Sequence, residues 1–94
     1  MNPILNSEQL MSVVNSFIPE DYQINGQTRP ELRDKGLHII MSNSEQAILF
    51  ISLLEEEFDV EFPDEELTLD NLLSYNKISS TLDRLLRQKN GIDR

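Results

Sequence analysis

An apolar run from Ala47 to Leu54, interrupted only by Ser52, is entered through Asn43-Ser44-Glu45 and left through Glu55-Glu56-Glu57-Phe58. Few structures accommodate that pattern other than an amphipathic helix from Ser44 to about Phe58. Ala47, Ile48, Phe50, Ile51, Leu54 and Phe58 recur at the three- and four-residue spacing of a buried helical face. Ile48, Leu49, Phe50 and Ile51 are more apolar surface than one stripe requires. Leu49 is therefore expected in the core, with exposure for contact with a partner as the alternative. Two N-terminal caps compete. Ser42 with Glu45 makes a capping box, and Asn43 with Gln46 offers the same reciprocal pairing one residue later.

The rest of the chain supplies helices for this one to pack against. Leu10, Val13, Val14 and Phe17 mark a first helix from about Ser7 to Ile18, capped by Asn6 or Ser7 and ended by Pro19. From Glu20 to about Met41 no period is sustained, and Gly26, Pro30 and Gly36 punctuate the stretch. It reads as a long connection dropping Tyr22, Ile24, Leu32, Leu37, Ile39 and Ile40 onto the core, with a short strand or helical turn over Leu37 to Met41 as an alternative. Thr68 is positioned to cap a short helix from about Leu69 to Leu73. Asn76 is positioned to cap a last helix from about Lys77 to Gln88, with Ile78, Leu82, Leu85 and Leu86 as its stripe and Gly91 beyond its end. The fold class is all-α: one domain over residues 1–94, a small four-helix bundle with three main helices and one short one.

Composition narrows the function. A chain of 94 residues with no cysteine supports one modest core without disulfides or a thiolate metal site. The longest apolar run is too short to span a bilayer, and the N-terminus lacks a signal-peptide pattern, so a soluble, cytoplasmic protein is expected. A net charge of -9 and a pI near 4.4 oppose nucleic-acid binding and favour basic protein surfaces. The charge is also segregated. No Lys or Arg lies between Lys35 and Lys77, while Glu45, Glu55, Glu56, Glu57, Asp59, Glu61, Asp64, Glu65, Glu66 and Asp70 all fall there. Lys77, Arg84, Arg87 and Lys89 crowd the last helix instead.

No catalytic constellation emerges. His38, the only histidine, sits among Leu37, Ile39 and Ile40 with no second ligand for a metal, and its spacing from Ser44 carries no nucleophile-base mechanism. In the acidic stretch from Asp59, Pro63 takes a ligand position and Asp64 stands where a calcium loop needs glycine. No phosphate loop is present, since Gly26, Gly36 and Gly91 stand apart. An enzyme is not expected. Ser44 remains, in the first turn of a helix beside unpaired backbone N–H groups and the positive end of the dipole, a setting that suits a phosphodiester.

Leu54-Glu55-Glu56-Glu57-Phe58-Asp59-Val60-Glu61-Phe62-Pro63-Asp64-Glu65-Glu66 resembles the end of the second helix and the following turn of acyl and peptidyl carrier proteins. The family's usual helix length, counted back from Phe58, lands on Ser44. Leu67-Thr68-Leu69-Asp70-Asn71-Leu72 and the final helix extend the resemblance over about residues 44–87. Asn43 stands for the family's usual Asp and Glu45 for its usual Leu, and Gly36 lies further from Ser44 than the corresponding glycine often does. The resemblance implies an acyl-carrier type of bundle, monomeric, with a 4'-phosphopantetheine arm on Ser44 that holds acyl, aminoacyl or polyketide intermediates as thioesters. It further implies a phosphopantetheinyl transferase as partner, and ligases, synthases or transferases whose basic patches meet Asn43, Glu45, Leu49, Glu55 and Glu56. A carrier fold that has lost the arm and acts as an acidic interaction module is the alternative.

Overall fold

The first helix, α1 (Ser7–Asn15), is opened by Asn6, whose side-chain oxygen accepts from the Gln9 amide. It stops before the expected Ile18 because the chain tightens at its end. The Ser16 amide donates to Val13 O, the Ser16 hydroxyl donates to the same carbonyl at 2.7 Å, and the Phe17 amide donates to Val14 O. The tighter turn still delivers Phe17 and Ile18 inward, so both reach the core from outside the helix. This description rests on a computed structural model and covers residues 5–89 and 91.

The segment expected as a long connection is instead a succession of short elements. A 3-10 turn at Glu20–Tyr22 leads into a two-stranded antiparallel hairpin, β1 (Gln23–Ile24) and β2 (Gln27–Thr28), with Gln23 opposite Thr28 and Ile24 opposite Gln27. Asn25 and Gly26 both take positive φ, 54° and 79°, the backbone that an Asn-Gly hairpin turn requires. The hairpin closes the end of α1. Gln23 Nε2 donates to the Asn15 and Ile18 carbonyls at 3.1 and 2.8 Å, while Asn15 Oδ1 accepts from the Thr28 amide at 3.0 Å and from the Thr28 hydroxyl. Carbonyls that a helix end leaves unpaired are thus satisfied by side chains of the next element.

A 3-10 turn at Pro30–Leu32 then feeds α2 (Arg33–Met41), so the bundle has one helix more than the sequence pattern suggests. Its inward face is Gly36, Leu37 and Ile40. The glycine is where α2 meets the end of α1: a Cβ at position 36 would lie 2.6 Å from Ile18 Cδ1. Ile24 and Ile39, expected over the core, are 59% and 38% exposed.

α3 (Ser44–Phe58) packs against both α1 and α2, and Phe50, Leu54 and Phe58 are its buried residues. The Phe50 ring meets Phe17 edge-on, with centroids 5.4 Å apart. Asp59 leaves α3 in the left-handed conformation, φ 53°, and the following amide of Val60 returns to Glu55 O. After a 3-10 turn at Asp64–Glu66 come α4 (Leu69–Leu72), capped by Thr68, and α5 (Tyr75–Lys89). α5 begins before Asn76. The Ser74 hydroxyl accepts from the Lys77 amide at 3.3 Å, so Ser74 takes the capping role expected of Asn76. Asp34 Oδ1 accepts from the Tyr75 amide at 2.8 Å and the Arg33 guanidinium lies 5.0 Å from the Tyr75 ring centroid, which ties the start of α2 to the start of α5. Gly91, φ 71°, follows α5 with its amide on Gln88 O. The protein is a small, mostly helical domain. Among the described residues, no single helix is long and apolar enough to cross a membrane.

The contact at Gly36 yields a test. Alanine gains about 1 kcal/mol of helix propensity over glycine, but the close approach to Ile18 adds an overpacking cost of about 1–3 kcal/mol. Gly36→Ala is expected to lower stability in urea unfolding. Ile18→Val removes the Cδ1 atom in question, and in that background Gly36→Ala should be neutral or stabilising. Equal effects in the two backgrounds would show that this contact does not set the α1–α2 spacing.

Candidate functional site

Ser42 and Asn43 alone separate α2 from α3, and they divide the work of the corner between them. The Ser42 hydroxyl donates to Ile39 O at 2.7 Å and closes α2. Asn43, at φ -118° and ψ 116°, opens α3: its Oδ1 accepts from the Gln46 amide at 3.1 Å. The competition between caps is therefore settled for Asn43, because the Ser42 hydroxyl is committed backwards. The two helices bend through 117° across this junction.

Ser44 is left as the first residue of α3, exposed, with its hydroxyl bonded to no described residue. Asn43 supplies both the side-chain oxygen for Gln46 and the carbonyl for the Ala47 amide. The amides of Ser44 and Glu45 have no acceptor among the described residues. Ser44 therefore presents a hydroxyl with no structural duty beside two free N–H groups at the positive end of a 15-residue helix. Such donors suit a phosphodiester on that oxygen, so the chain's own groups are compatible with such an attachment.

The surroundings of Ser44 depart from expectation. Ile48 is 65% exposed and Leu49 55% exposed, so neither belongs to the core. Glu45 and Glu56 are exposed as well, and on a helix Glu45, Ile48, Leu49, Ser52 and Glu56 share one side. Glu55 is different. Its carboxylate accepts from the Phe62 amide at 2.8 Å and holds the turn after α3, which gives it an internal role beside any role toward a partner. His38 is exposed on α2. Among the described residues, no group of three or more His, Asp or Glu side chains is placed to hold a metal ion.

The acidic middle of the chain is partly neutralised from α5. Lys89 pairs with Asp59 at 2.8 Å, Arg84 with Glu66 at 2.9 Å and Lys77 with Asp70 at 2.7 Å. None of these pairs reaches α3 itself. No protein-family model matches this sequence, and neither a curated protein nor a solved structure gives a match.

Two outcomes follow from this geometry. Asn43→Ala removes the cap of α3 and should cost about 1 kcal/mol in urea unfolding, whereas Asn43→Asp keeps the acceptor, adds a favourable charge at the helix start and should be neutral or stabilising. Hydrogen bonding and attraction from Lys89 hold the Asp59 carboxyl below its ordinary value. A depressed carboxyl contributes stability above its unfolded pKa and loses it as pH falls through the folded one. Lys89→Met should raise the Asp59 titration midpoint toward the ordinary carboxylate value in a carboxyl NMR titration, and an unchanged midpoint would show that the pair does not form in solution.

Proposed function

We propose that the protein is a carrier: Ser44 accepts a 4'-phosphopantetheine group from coenzyme A, and α3 presents it to partner enzymes. The observation that carries this reading is the division of labour at the α2–α3 corner. The Ser42 hydroxyl closes α2 and the Asn43 side chain opens α3, and Ser44 stands exposed with no hydrogen bond to a described residue. The acyl-carrier-like segment after it, from Leu54 to Glu66, supports the same reading from sequence.

In the loading reaction the Ser44 oxygen forms a bond to the phosphorus that carries pantetheine. The phosphoanhydride bond to the nucleotide breaks, adenosine 3',5'-bisphosphate leaves, and the serine proton passes to a base on the transferase. When bound, the arm supplies a thiol that carries acyl, aminoacyl or polyketide groups as thioesters. This chain's residues catalyse nothing in that scheme. The free amides of Ser44 and Glu45 would hold the phosphate of the arm, whose charge the dipole of α3 would favour. Ile48 and Leu49 offer apolar contact beside the serine, and Glu45 and Glu56 attract basic ligase, synthase or transferase surfaces, setting encounter rate and orientation more than affinity. We further read the bundle as the acyl-carrier type with an additional helix, α2, before the serine.

The carboxylate of Glu45, next to the proposed acceptor, favours a second reading in which the arm has been lost and the same face binds proteins without cargo. Intact-mass measurement separates the two. Incubation with coenzyme A and a broad-specificity phosphopantetheinyl transferase, and with the transferase of the same genome, should add one phosphopantetheine group. Ser44→Ala should abolish the gain and Ser42→Ala should keep it. No gain with either enzyme would sink the carrier reading and leave the armless module.

A further inference from the structure

We propose that Asn25 is a site of self-modification: the Gly26 amide nitrogen closes on the Asn25 side chain, ammonia leaves, and the hairpin tip converts to aspartate and isoaspartate, the second of which unlocks the hairpin from α1. This chemistry does not depend on what Ser44 carries.

Asn25 and Gly26 form the two-residue tip between β1 and β2, and both are exposed. Ring closure needs a free amide nitrogen next in the chain, a side-chain amide able to swing toward it, and no side chain crowding the approach. All three are met here. Neither the Asn25 side chain nor the Gly26 amide has a hydrogen-bond partner among the described residues, and a Cβ at position 26 would meet nothing within 4 Å. Each strand is only two residues long, so few bonds hold the tip and it opens locally with little loss of free energy. Other asparagines are restrained. Asn6 and Asn43 cap helices through Oδ1, Asn15 Oδ1 accepts from the Thr28 amide, and Asn71 Nδ2 donates to Glu66 O. After Asn76 the Lys77 amide is bonded to the Ser74 hydroxyl, and after Asn90 the Gly91 amide is bonded to Gln88 O.

In the first step a bond forms between Gly26 N and Asn25 Cγ, and the Cγ–Nδ2 bond breaks. The side-chain nitrogen leaves as ammonia with the proton that the Gly26 amide gives up. Water then opens the cyclic imide. Attack at Cγ yields aspartate, whereas attack at the main-chain carbonyl leaves Gly26 joined through Cγ, which is isoaspartate. The two products differ mechanically. Aspartate tolerates the left-handed backbone of position 25, φ 54°, so the turn survives with one more negative charge. Isoaspartate adds a methylene to the main chain at the tip, and a two-residue turn no longer closes on the register of Gln23 with Thr28. That register brings Gln23 Nε2 to the Asn15 and Ile18 carbonyls and the Thr28 amide to Asn15 Oδ1. Its loss leaves the end of α1 without those partners.

The test is to incubate the full chain at mildly alkaline pH, digest it at intervals and follow each asparagine by peptide mass. Methylation by an isoaspartyl methyltransferase with S-adenosylmethionine, which esterifies isoaspartate and not aspartate, distinguishes the products. Conversion is expected first at Asn25, with both products formed and the converted protein retained longer on an anion exchanger. Asn25→Gly, which keeps a turn-competent pair, should abolish it. In urea unfolding Asn25→Asp should match wild type, and the isolated isoaspartate fraction should show a lower midpoint. Conversion that maps to Asn43 or Asn90 in place of Asn25 overturns the proposal. So does its absence over a period in which an unstructured peptide of residues 21–30 converts. An isoaspartate fraction with the wild-type midpoint overturns the unlocking of the hairpin from α1.

Discussion

The burial of one face of α3 is the constraint on which the remaining arrangement depends. Phe50 and Leu54 are fully buried and Phe58 nearly so, and α1 and α2 pack against the helix that carries them. At about 100° per residue, choosing Phe50, Leu54 and Phe58 as the inward set also decides what faces out. Ala47 falls on the buried line, Ile51 flanks it, Ile48 falls to one side of it, and Glu45 and Leu49 point nearly opposite. The exposure of Leu49 therefore follows from the packing of Phe50 rather than from any preference of leucine for solvent. Ile48 and Leu49 are thus left outside together as a small exposed apolar pair.

The second organising feature is electrostatic and acts between distant parts of the chain. Ten acidic residues between Lys35 and Lys77 would repel one another if left alone. α5 returns Lys77, Arg84 and Lys89 to Asp70, Glu66 and Asp59, and so partly neutralises the segment that follows α3. These are surface pairs, each worth little in stability. Their larger effect is on the distribution of charge: the turn and α4 become mixed in sign, and the outer side of α3 keeps its carboxylates unpaired.

How much of this was legible before the structure depended on whether local chemistry and core packing agreed. They agree in α3, whose observed bounds are those expected from its period, and at Thr68, which caps α4 as expected. They diverge over residues 20–41. The inward face of α2 is built from Gly36, Leu37 and Ile40, with Arg33 stacked on Tyr75. A glycine and an arginine in those places hide the apolar period. The glycine is there because Ile18 occupies the volume of its Cβ, a contact between residues eighteen apart in sequence that no window of periodicity registers. The hairpin, by contrast, carried a readable sign in Asn25-Gly26, a pair suited to positive φ at both positions. At the candidate site, cap chemistry left Ser42 and Asn43 in competition, the family resemblance pointed to Ser44, and the structure decided the cap for Asn43. The exposure of Ile48 and the internal bond of the Glu55 carboxylate to the Phe62 amide required coordinates.

The short corner between α2 and α3 determines which side chains are left free at the start of α3. A helix start buried in a loop would need its serine for capping, and a serine so used offers no free hydroxyl. Here Ser42 is drawn into closing α2 because the junction is only two residues long, and Asn43, the sole remaining side chain, must open α3. The fixed end of α2, tied to α5 through Asp34 and Tyr75, holds that junction in place from the far side. The freedom of Ser44 is thus a product of connectivity: a tight turn between two anchored helices leaves its caps fully occupied and the next hydroxyl unassigned. An attachment site needs that combination, since the oxygen must be accessible to an incoming enzyme while the helix beneath it stays ordered enough to be recognised.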